Sequence, residues 1–459
     1  MKLPKKNILS ELSWFVFGQG VAILSALVLI RLLTEYLSVA MYGQLALLLS
    51  ILALVNQSIY GGIAMGVGRF FSISQKNNEE EYYFVASFLL FKRATIFFVV
   101  FGCCLVGVLK FISFELPFYS ILGCIIYSIL SGYNNLFNNI QGSARNRIAV
   151  ALHAGMDGLL KIFFVLLGIY YFGSEAYVVI GAFTVSTCLV VISQYIWVER
   201  EYLNKFKLSK FNNQSQSSSK LDQLPPSVAI NQQTRSYVQR VWSFSWPFSV
   251  WGVFTWAQLS SDRWSLQVFQ TPESVGFYAA LFEVGYRPIT LLIGLVVTFI
   301  TPIFFEMGTV KKTVSGDEPS GGSTATLRVS ETTKRVIVVC LSITILAFMA
   351  SLWLHVWLFK LVASVKFAEV SFYLPWMILT GGIFATAQVL ALKMMSDLNT
   401  VKSLPIKLIS SSIGIALNIL GASAYGLSGV VGANVIFALI YFLMMLIAAG
   451  EILITSKTN

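Results

Sequence analysis

Charged residues are scarce in this sequence: Asp, Glu, Lys and Arg make up 12% of its 459 residues, about half the share found in an average soluble domain. Histidine occurs only twice, and the five cysteines lie within apolar segments without the spacing of metal ligands. The shortage of charge excludes an ordinary soluble domain. The cysteine pattern predicts residues that fill helices, and we expect no metal cofactor.

Long apolar runs take the place of the missing charge, since 56% of the residues are hydrophobic. A run of about 20 such residues, at ~1.5 Å per residue in a helix, is long enough to cross a ~30 Å hydrocarbon core. The predicted fold class is therefore an all-α polytopic membrane protein. We count twelve predicted spans, near residues 12–33, 43–70, 92–113, 117–140, 148–172, 176–198, 238–261, 275–304, 335–358, 371–393, 403–424 and 428–450.

The loops between these runs differ strongly in charge. Most of the 32 Lys and Arg residues fall on the side that also holds the N-terminus. Because cytoplasmic loops are enriched in Lys and Arg, the sequence predicts a protein of the cytoplasmic (inner) membrane with both termini in the cytoplasm. The same asymmetry accounts for the net charge of +11, so the charge gives no reason to expect a nucleic-acid partner. The first apolar run is too long for a cleavable signal peptide and is predicted to be the first span.

Two polar stretches divide the chain. Residues 199–237 predict a cytoplasmic linker between an N-terminal six-helix lobe (1–198) and a C-terminal six-helix lobe (238–459), and a second cytoplasmic loop is predicted near 309–334. Two lobes with an even number of spans share one orientation, so we expect an axis along the membrane normal to relate them.

A faint internal repeat supports a duplication. Ser13-Trp14 precedes Arg31 by the same interval that separates Ser245-Trp246 from Arg263, and Gly43 then matches Gly276 with a one-residue gap. Each match is weak alone, and their common order indicates two related halves.

Several segments along the chain carry a resemblance to a known family. They are SWPF, DRWSLQVF, VGFYAALFEV, TPIFFE, RLLTEYLSVAMYGQLALLLSILAL, QGSARNRIAV and YGLSGVVGANVI. These segments resemble the polysaccharide-transporter branch, which includes O-antigen flippases, of the multidrug/oligosaccharidyl-lipid/polysaccharide (MOP) exporter superfamily. The resemblance implies two six-helix lobes around a central cavity and alternating access.

The resemblance also implies a function in cell-surface polysaccharide biosynthesis. The expected cargo is a polyprenyl-pyrophosphate-linked oligosaccharide that is flipped from the inner to the outer leaflet. Membrane lipids are expected partners, and polysaccharide polymerase and export proteins are further candidates. Such a transporter is not an enzyme, and proton or cation coupling is the open question about its energy source.

Charges inside spans are the first candidates for a site, because each costs about 2.5–3.5 kcal/mol at mid-membrane on insertion scales. His153, Asp157 and Lys161 in span five are spaced so that all three lie along one helical stripe. In the functional interpretation, Lys161 attracts the pyrophosphate, and Asp157 with His153 holds or exchanges a coupling proton. The alternative is an Asp157–Lys161 pair that neutralises itself.

Span eight carries a second charged pair. Glu283 and Arg287 are four residues apart with the acid first, and Pro288 follows as a predicted kink or hinge. Arg287 is the preferred pyrophosphate contact, because a planar guanidinium suits phosphate better than an ammonium does. The alternative is a self-paired kink without a ligand.

Two further arginines lie on the predicted outer side. Arg31 and Arg263 end matching spans and are candidates for a cationic substrate contact or an outer gate, with interfacial snorkelling as the alternative. Asp262 and Arg263 are assigned to the end of span seven and its outer turn, where a charge costs little free energy.

Aromatic and amide side chains could contact the sugars. Trp251 and Trp256 are candidate sugar contacts or interfacial anchors. Asn134 and Asn138 could bond sugar hydroxyls or neighbouring helices.

Other functions remain open. One is a cation-coupled multidrug exporter of the same superfamily, although span one has no acid after Glu11 and the mid-span cations would repel cationic drugs. Another is a membrane polysaccharide polymerase or glycosyltransferase, which the short outer loops and the lack of a nucleophile or metal-ligand cluster disfavour. A transport-inactive scaffold is the third.

Overall fold

The computed structural model describes residues 5–111, 118–144, 146–203, 226–297, 319–396 and 400–455, and these ranges are helical apart from short turns. The helices are α1 (Lys5–Tyr36), α2 (Val39–Asn77), α3 (Glu80–Phe111), α4 (Phe118–Ser143), α5 (Arg147–Phe172), α6 (Ala176–Val198), α7 (Pro226–Phe269), α8 (Pro272–Val297), α9 (Pro319–Val362), α10 (Leu374–Ser396), and α11 and α12, which together form Thr400–Thr455. A 3₁₀ segment, Val365–Tyr373, precedes α10.

The last two helices are separated at one residue. Gly426 has φ 60° and ψ −133° within the segment Thr400–Thr455. Because glycine lacks a Cβ, it adopts this left-handed backbone without steric cost. We therefore name residues 400–425 α11 and residues 427–455 α12.

The predicted fold class is confirmed. Within the described ranges, nine helical segments are long and apolar enough to cross a membrane, and one of them, Pro405–Gly450, contains parts of both α11 and α12. Together with α1 and α7, these segments correspond to the twelve predicted spans. Many large apolar side chains are exposed on them, for example Trp353 and Leu346, as lipid-facing helices require.

Local sequence signals set several helix ends. The Asn146 side chain accepts a hydrogen bond from the Ala149 backbone N–H at the start of α5, and Gly173, with φ 87°, ends that helix. Thr271 accepts a hydrogen bond from the Ser274 N–H at the start of α8, where Pro272 occupies the first turn. A hydroxyl cap followed by proline is a typical helix start.

Three π-helical turns widen the helices, at Asn56–Tyr60 in α2, at Glu199–Leu203 after α6 and at Phe282–Tyr286 in α8. The last one contains Glu283 and ends directly before Arg287. Pro288 has no N–H to donate to the Val284 carbonyl one turn back, and its ring crowds that carbonyl. The wider turn therefore lies where proline disturbs the helix, and the hinge function of Pro288 stays a prediction.

The described chain forms two compact units. The first unit comprises Met1–Leu29 and Leu47–Trp256, and the second comprises Ile30–Ala46 and Ala257–Asn459. The first unit has a core of aromatic side chains, among them Tyr60, Phe71, Tyr83, Phe84 and Phe91. The second has a core that includes Leu390, Phe437, Tyr441 and Met445. The predicted lobe boundary stays a prediction, because residues 204–225 of the linker lie outside the described residues, as do residues 309–318 of the second loop.

Close backbone contacts occur within each unit. In the first unit, a Cβ on Gly252 would lie 2.6 Å from the carbonyl carbon of Gln57. In the second, a Cβ on Gly43 would lie 2.8 Å from the nitrogen of Gly276. The two glycines matched by the internal repeat thus touch each other, and only glycine fits at their crossing.

Candidate transport site

A buried carboxylate forms the centre of a polar network in the second unit. Asp262 on α7 is 2% exposed. Its Oδ2 accepts a hydrogen bond from the Tyr278 hydroxyl at 2.5 Å, and its Oδ1 accepts one from the Arg263 backbone N–H at 2.7 Å. The Asn434 amide donates to the Tyr278 oxygen at 3.0 Å. The hydrogen bonds of Asp262 and Tyr278 therefore join three helices, α7, α8 and α12.

The assignment of Asp262 to the outer turn was wrong. α7 continues to Phe269, so Asp262 lies about two turns inside the helix. A hydropathy window ends a span where polar residues begin, whether or not those residues face neighbouring helices. The cap-and-proline signal at Thr271-Pro272 was in the sequence and marks where α8 starts, which places Asp262 well before the turn.

A narrow recess adjoins this carboxylate and has room for about one water molecule. Its lining residues are Gln258, Leu259, Asp262, Tyr278, Phe282, Tyr286, Thr380, Phe384, Asn434 and Phe437. Aromatic rings form much of the wall, and oxygen atoms of acid, hydroxyl and amide groups form the rest. A buried carboxylate beside such a space suits a proton, a hydrated proton or a small cation, because an isolated buried charge is costly.

Arg263 folds back into the second unit. Its guanidinium lies 4.4 Å from the centroid of the Phe282 ring and 5.9 Å from that of Tyr278, and Nη1 donates to the Leu259 carbonyl at 3.2 Å. This geometry is a cation–π contact. Its function as a substrate contact stays a prediction.

Lys407 on α11 is a buried cation of the same unit. It is 4% exposed. Its Nζ donates to Oε1 of Gln258 at 2.5 Å and lies 5.6 Å and 5.4 Å from the ring centroids of Phe384 and Tyr441. The position of Lys407 inside the predicted span 403–424 was the signal for its burial.

The predicted pair on α8 is present. Nη1 of Arg287 lies 2.6 Å from Oε2 of Glu283. The two side chains differ in exposure, 59% for Arg287 and 19% for Glu283. The Arg287 side chain is therefore paired with Glu283 and is still largely exposed.

Arg31 lies elsewhere in the second unit. Its guanidinium forms an ion pair with Glu35 at 3.1 Å. It also donates to the Lys360 carbonyl at 2.8 Å and to the Ala363 carbonyl at the end of α9. Its predicted contact with substrate stays a prediction.

In the first unit, the charged stripe of α5 faces α6. Nζ of Lys161 lies 2.5 Å from Oδ2 of Asp157, and both side chains are less than a fifth exposed. The Thr187 hydroxyl donates to Oδ1 of Asp157 at 3.4 Å. The ring of Phe183, also on α6, lies 5.7 Å from the ammonium. This pair cancels its own charge by direct contact.

His153 completes the stripe. Its Nδ1 lies 2.7 Å from the Ala149 carbonyl, and its Nε2 lies 3.2 Å from the Ser193 hydroxyl on α6. Because a carbonyl only accepts hydrogen bonds, Nδ1 carries the proton and Nε2 accepts from Ser193. Both nitrogens of this buried ring are therefore bonded within the unit. Coupling by His153 or Asp157 stays a prediction.

The predicted sugar contacts also lie in the first unit. Asn138 donates to Asn134 at 3.1 Å and accepts from Gln194 of α6 at 3.0 Å. The Trp256 indole N–H donates to the Ser50 carbonyl at 2.6 Å, and Trp251 is half-buried on α7. The hydrogen bonds of the Asn side chains and of the Trp256 indole are intramolecular. Sugar binding by these four residues stays a prediction.

No group of three His, Cys, Asp or Glu side chains in the described part of the chain could hold a metal ion. Cys124, Cys188 and Cys340 are free thiols. The side chains of Cys103 and Cys104 lie outside the described residues.

The similarity of this chain to known proteins lies in its fold. No protein-family model matches the sequence, and no curated protein matches it. Solved structures do match over nearly the whole chain. An inward-facing multidrug resistance MATE family transporter of the MOP superfamily shares 13% identity, with 97% of this chain and 96% of that chain covered and a TM-score of 0.60. This chain has the fold of a MATE transporter.

Two other solved structures are similar to this chain. A MATE transporter of Vibrio cholerae, VcmN, is 14% identical over 98% of this chain and 97% of its own, with a TM-score of 0.57. A MOP superfamily transporter from Pyrococcus furiosus is 13% identical over 95% of this chain and 94% of its own, with a TM-score of 0.54, and its binding pocket is described as having reversed polarity that suggests a different function. All of these are transporters. The O-antigen flippase branch stays a prediction.

Proposed function

We propose that this chain is a cation-coupled flippase that moves a polyprenyl-pyrophosphate-linked oligosaccharide across the cytoplasmic membrane for polysaccharide biosynthesis. The MATE fold along nearly the full chain supports transport. The observation that carries the choice of cargo is Arg287, an exposed guanidinium within a transmembrane helix.

Arg287 has the chemistry that an anionic headgroup needs. Its side chain is 59% exposed although it is paired with Glu283 through Nη1 at 2.6 Å. The other edge of the guanidinium fork presents further N–H donors, and guanidinium binds phosphate oxygens in pairs. Arg263, whose guanidinium lies 4.4 Å from the ring centroid of Phe282, adds positive charge in the same unit. A pyrophosphate at membrane depth requires such compensation, because an unpaired anion there is costly.

We assign coupling to Asp262 rather than to Asp157 and His153, for which it was predicted, or to Glu283. Asp157 and Glu283 each contact a cation four residues on, at 2.5 Å and 2.6 Å. The hydrogen-bond donors to Asp262 are neutral, a phenol and a backbone N–H. Uptake of a proton or a small cation is therefore expected to change the local charge more at Asp262 than at Asp157 or Glu283.

The membrane placement and the partners belong to the same proposal. The protein lies in the cytoplasmic membrane with both termini in the cytoplasm, where the lipid-linked oligosaccharide is assembled. Membrane lipids solvate the polyprenyl tail, and a polysaccharide polymerase and export proteins receive the product.

The test is reconstitution in liposomes that contain a fluorescent polyprenyl-pyrophosphate oligosaccharide, with flipping measured by protection of the label from a membrane-impermeant quencher. Arg287→Gln should slow flipping by about tenfold or more, as expected for one lost charge-assisted contact. Arg235→Gln, at an exposed arginine of α7, is the matched control and should flip normally. Unchanged flipping in Arg287→Gln contradicts the assignment of Arg287, and no flipping by wild type contradicts the function.

A second pair of variants separates substrate binding from helix pairing. Glu283→Gln leaves Arg287 intact and should retain flipping. The double variant Glu283→Gln/Arg287→Gln removes the unpaired acid but also the guanidinium, so it should remain slow. Restored flipping in the double variant would mean that Arg287 serves only to balance Glu283.

The second candidate is a cation-coupled multidrug exporter, and the comparisons taken alone favour it. Solved chains with this fold include multidrug resistance transporters. Aromatic rings beside a carboxylate are also the groups that attract a cationic cargo. The buried or in-span cations Lys161, Arg263 and Lys407 argue against that cargo.

The same liposomes discriminate between the two candidates. A lipophilic cationic dye replaces the lipid as cargo, and export is measured with and without an imposed pH or sodium gradient. Dye export that needs Asp262, together with no flipping of the lipid by wild type, would make the multidrug exporter the correct function.

A further inference from the structure

We propose that two hydrogen-bonded latches at opposite ends of the predicted membrane path open alternately during transport. The outer latch joins residues 31–35, at the end of α1, to residues 360–366, at the end of α9. The inner latch joins Glu79, in the turn after α2, to Tyr237 on α7. Each latch connects the N-terminal half of the chain to the C-terminal half, and the inference does not depend on which cargo is carried.

The outer latch is a helix cap supplied by a distant part of the chain. α9 ends at Val362, and the last carbonyls of a helix have no partner within it. Arg31 donates to the Lys360 carbonyl at 2.8 Å and to the Ala363 carbonyl. A guanidinium at this position satisfies those carbonyls and complements the negative end of the helix dipole.

Further hydrogen bonds secure the outer latch. The Ser364 backbone N–H donates to the Thr34 hydroxyl at 3.0 Å, and both residues are buried. Nζ of Lys366 donates to the Glu35 carbonyl at 2.5 Å. Buried polar groups that lose their partners must gain water instead. The outer latch can therefore open only together with entry of water, which is the condition that an outward-open transport path provides.

The inner latch is a single charge-assisted hydrogen bond. The Tyr237 hydroxyl donates to Oε2 of Glu79 at 2.6 Å. Asn78, with φ 56°, makes the tight turn between α2 and α3 that presents Glu79. Tyr237 lies just before the predicted span 238–261. Burial raises the pKa of the Tyr237 phenol, and the Glu79 carboxylate raises it further. The phenol therefore keeps its proton and acts as the donor.

The unequal strength of the latches has a consequence. The outer latch uses at least four hydrogen bonds, two from Arg31 and one each from Ser364 and Lys366. The inner latch uses one between α7 and the turn after α2. A contact made in only one conformation biases the equilibrium toward it. We therefore expect the resting protein to open more readily toward the cytoplasm.

The test measures access from each side of the membrane and needs no cargo. Thr290→Cys, one turn after Arg287 on α8, is introduced into a chain whose five native cysteines are replaced by serine or alanine. A membrane-impermeant maleimide is then applied to right-side-out or inside-out vesicles. Arg31→Gln should raise labelling from outside by about fivefold, and Tyr237→Phe should raise labelling from inside by a similar factor, the effect of roughly one net hydrogen bond on an equilibrium.

Two matched variants and two cross-links complete the design. Glu79→Gln keeps an acceptor for Tyr237 and should change inside labelling less than Tyr237→Phe does. If Arg31→Gln fails to fold, Arg31→Lys, which keeps the charge but loses the fork, replaces it. The cysteine pairs Thr34→Cys/Ser364→Cys and Glu79→Cys/Tyr237→Cys, once oxidised, should each reduce labelling from their own side, and a reductant should restore it. Unchanged labelling in all variants, or a change on the same side for both latches, would overturn the proposal.

Discussion

Asp157 and Asp262 are both largely enclosed acids of transmembrane helices, one in each compact unit, and their partners differ. Asp157 contacts the ammonium of Lys161 at 2.5 Å. Asp262 accepts from the neutral hydroxyl of Tyr278 at the same distance. The first acid is therefore paired with a cation of its own helix, whereas the second is hydrogen-bonded to a neutral phenol and lies beside a recess. We therefore expect different functions for the two acids: charge balance in the first unit and response to an ion in the second.

The two acids also differ in the helices that their contacts connect. The Asp157–Lys161 pair lies along α5. Thr187 of α6 donates to Asp157, and the ring of Tyr127 on α4 lies 5.9 Å from the Lys161 ammonium. Asp262 on α7 is bonded to α8, and through Tyr278 to Asn434 on α12. A change of charge at Asp262 therefore acts on three helices at once, which is what coupling of an ion to a conformational change requires.

The largest expected effect comes from breaking the pair in the first unit. Lys161→Met or Asp157→Asn leaves one charge without its partner, so each should lower the free energy of unfolding by about 3 kcal/mol, toward the lower end for buried pairs because the side chains are partly exposed. The double variant should recover most of that loss. Thermal unfolding in detergent, analysed as a double-mutant cycle, measures this.

A flipping measurement on the same double variant tests whether Lys161 also contacts the substrate. If it is stable and flips the lipid-linked oligosaccharide normally, the pair serves balance alone. If it is stable but flips more slowly, Lys161 contacts the pyrophosphate as the sequence predicted.

The second effect tests the acid of the second unit. Asp262→Asn preserves shape but removes the charge, so stimulation of transport by a pH or sodium gradient, on the order of tenfold for a typical coupling free energy, should disappear. Basal flipping without a gradient should change less. Rates are measured in liposomes across a series of imposed gradients. Gradient dependence that survives in Asp262→Asn, but is lost in the stable Asp157→Asn/Lys161→Met variant, would reverse the comparison.

The sequence predicted much of the first unit's network. The spacing of His153, Asp157 and Lys161 places them on one helical face by period alone, and in the structure all three lie toward α6. The Glu283–Arg287 pair of the second unit follows from the same rule. Local spacing along one helix is sufficient for such pairs, because both partners belong to a single rigid element.

The network of the second unit was not predictable in the same way. Its bonds join α7 to α8 and α11, and α8 to α12, so they depend on packing between segments distant in sequence. Hydropathy also placed Asp262 at an outer turn, since an averaged apolar score falls wherever polar residues cluster. Such residues are buried here because Tyr278 and Gln258 satisfy them. Only the positions of their partners distinguish a buried network from a loop.

A smaller effect should follow from Tyr278→Phe. The variant keeps Asp262 but removes one hydrogen bond to it and leaves the Asn434 amide without that acceptor. The free energy of unfolding should fall by about 1–2 kcal/mol, and gradient stimulation should weaken without vanishing. Chemical denaturation and gradient-driven flipping are measured together. A complete loss of stimulation, equal to that of Asp262→Asn, would assign the coupling site to the phenol as well as to the acid.

The smallest effect is expected at Thr187, the counterpart of Tyr278 in the first unit. Its hydroxyl lies 3.4 Å from Oδ1 of Asp157, at the long limit for a hydrogen bond, and Lys161 already satisfies the same carboxylate. Thr187→Val keeps the shape of the side chain, so the free energy of unfolding should change by less than about 0.5 kcal/mol, and gradient stimulation should be unchanged. Thr187→Val and Tyr278→Phe can be compared directly, because each variant removes one hydroxyl that is hydrogen-bonded to an acid. Equal losses of gradient stimulation in the two variants would mean that Asp157 responds to the coupling ion as Asp262 does, and that the ion pair with Lys161 opens during the transport cycle.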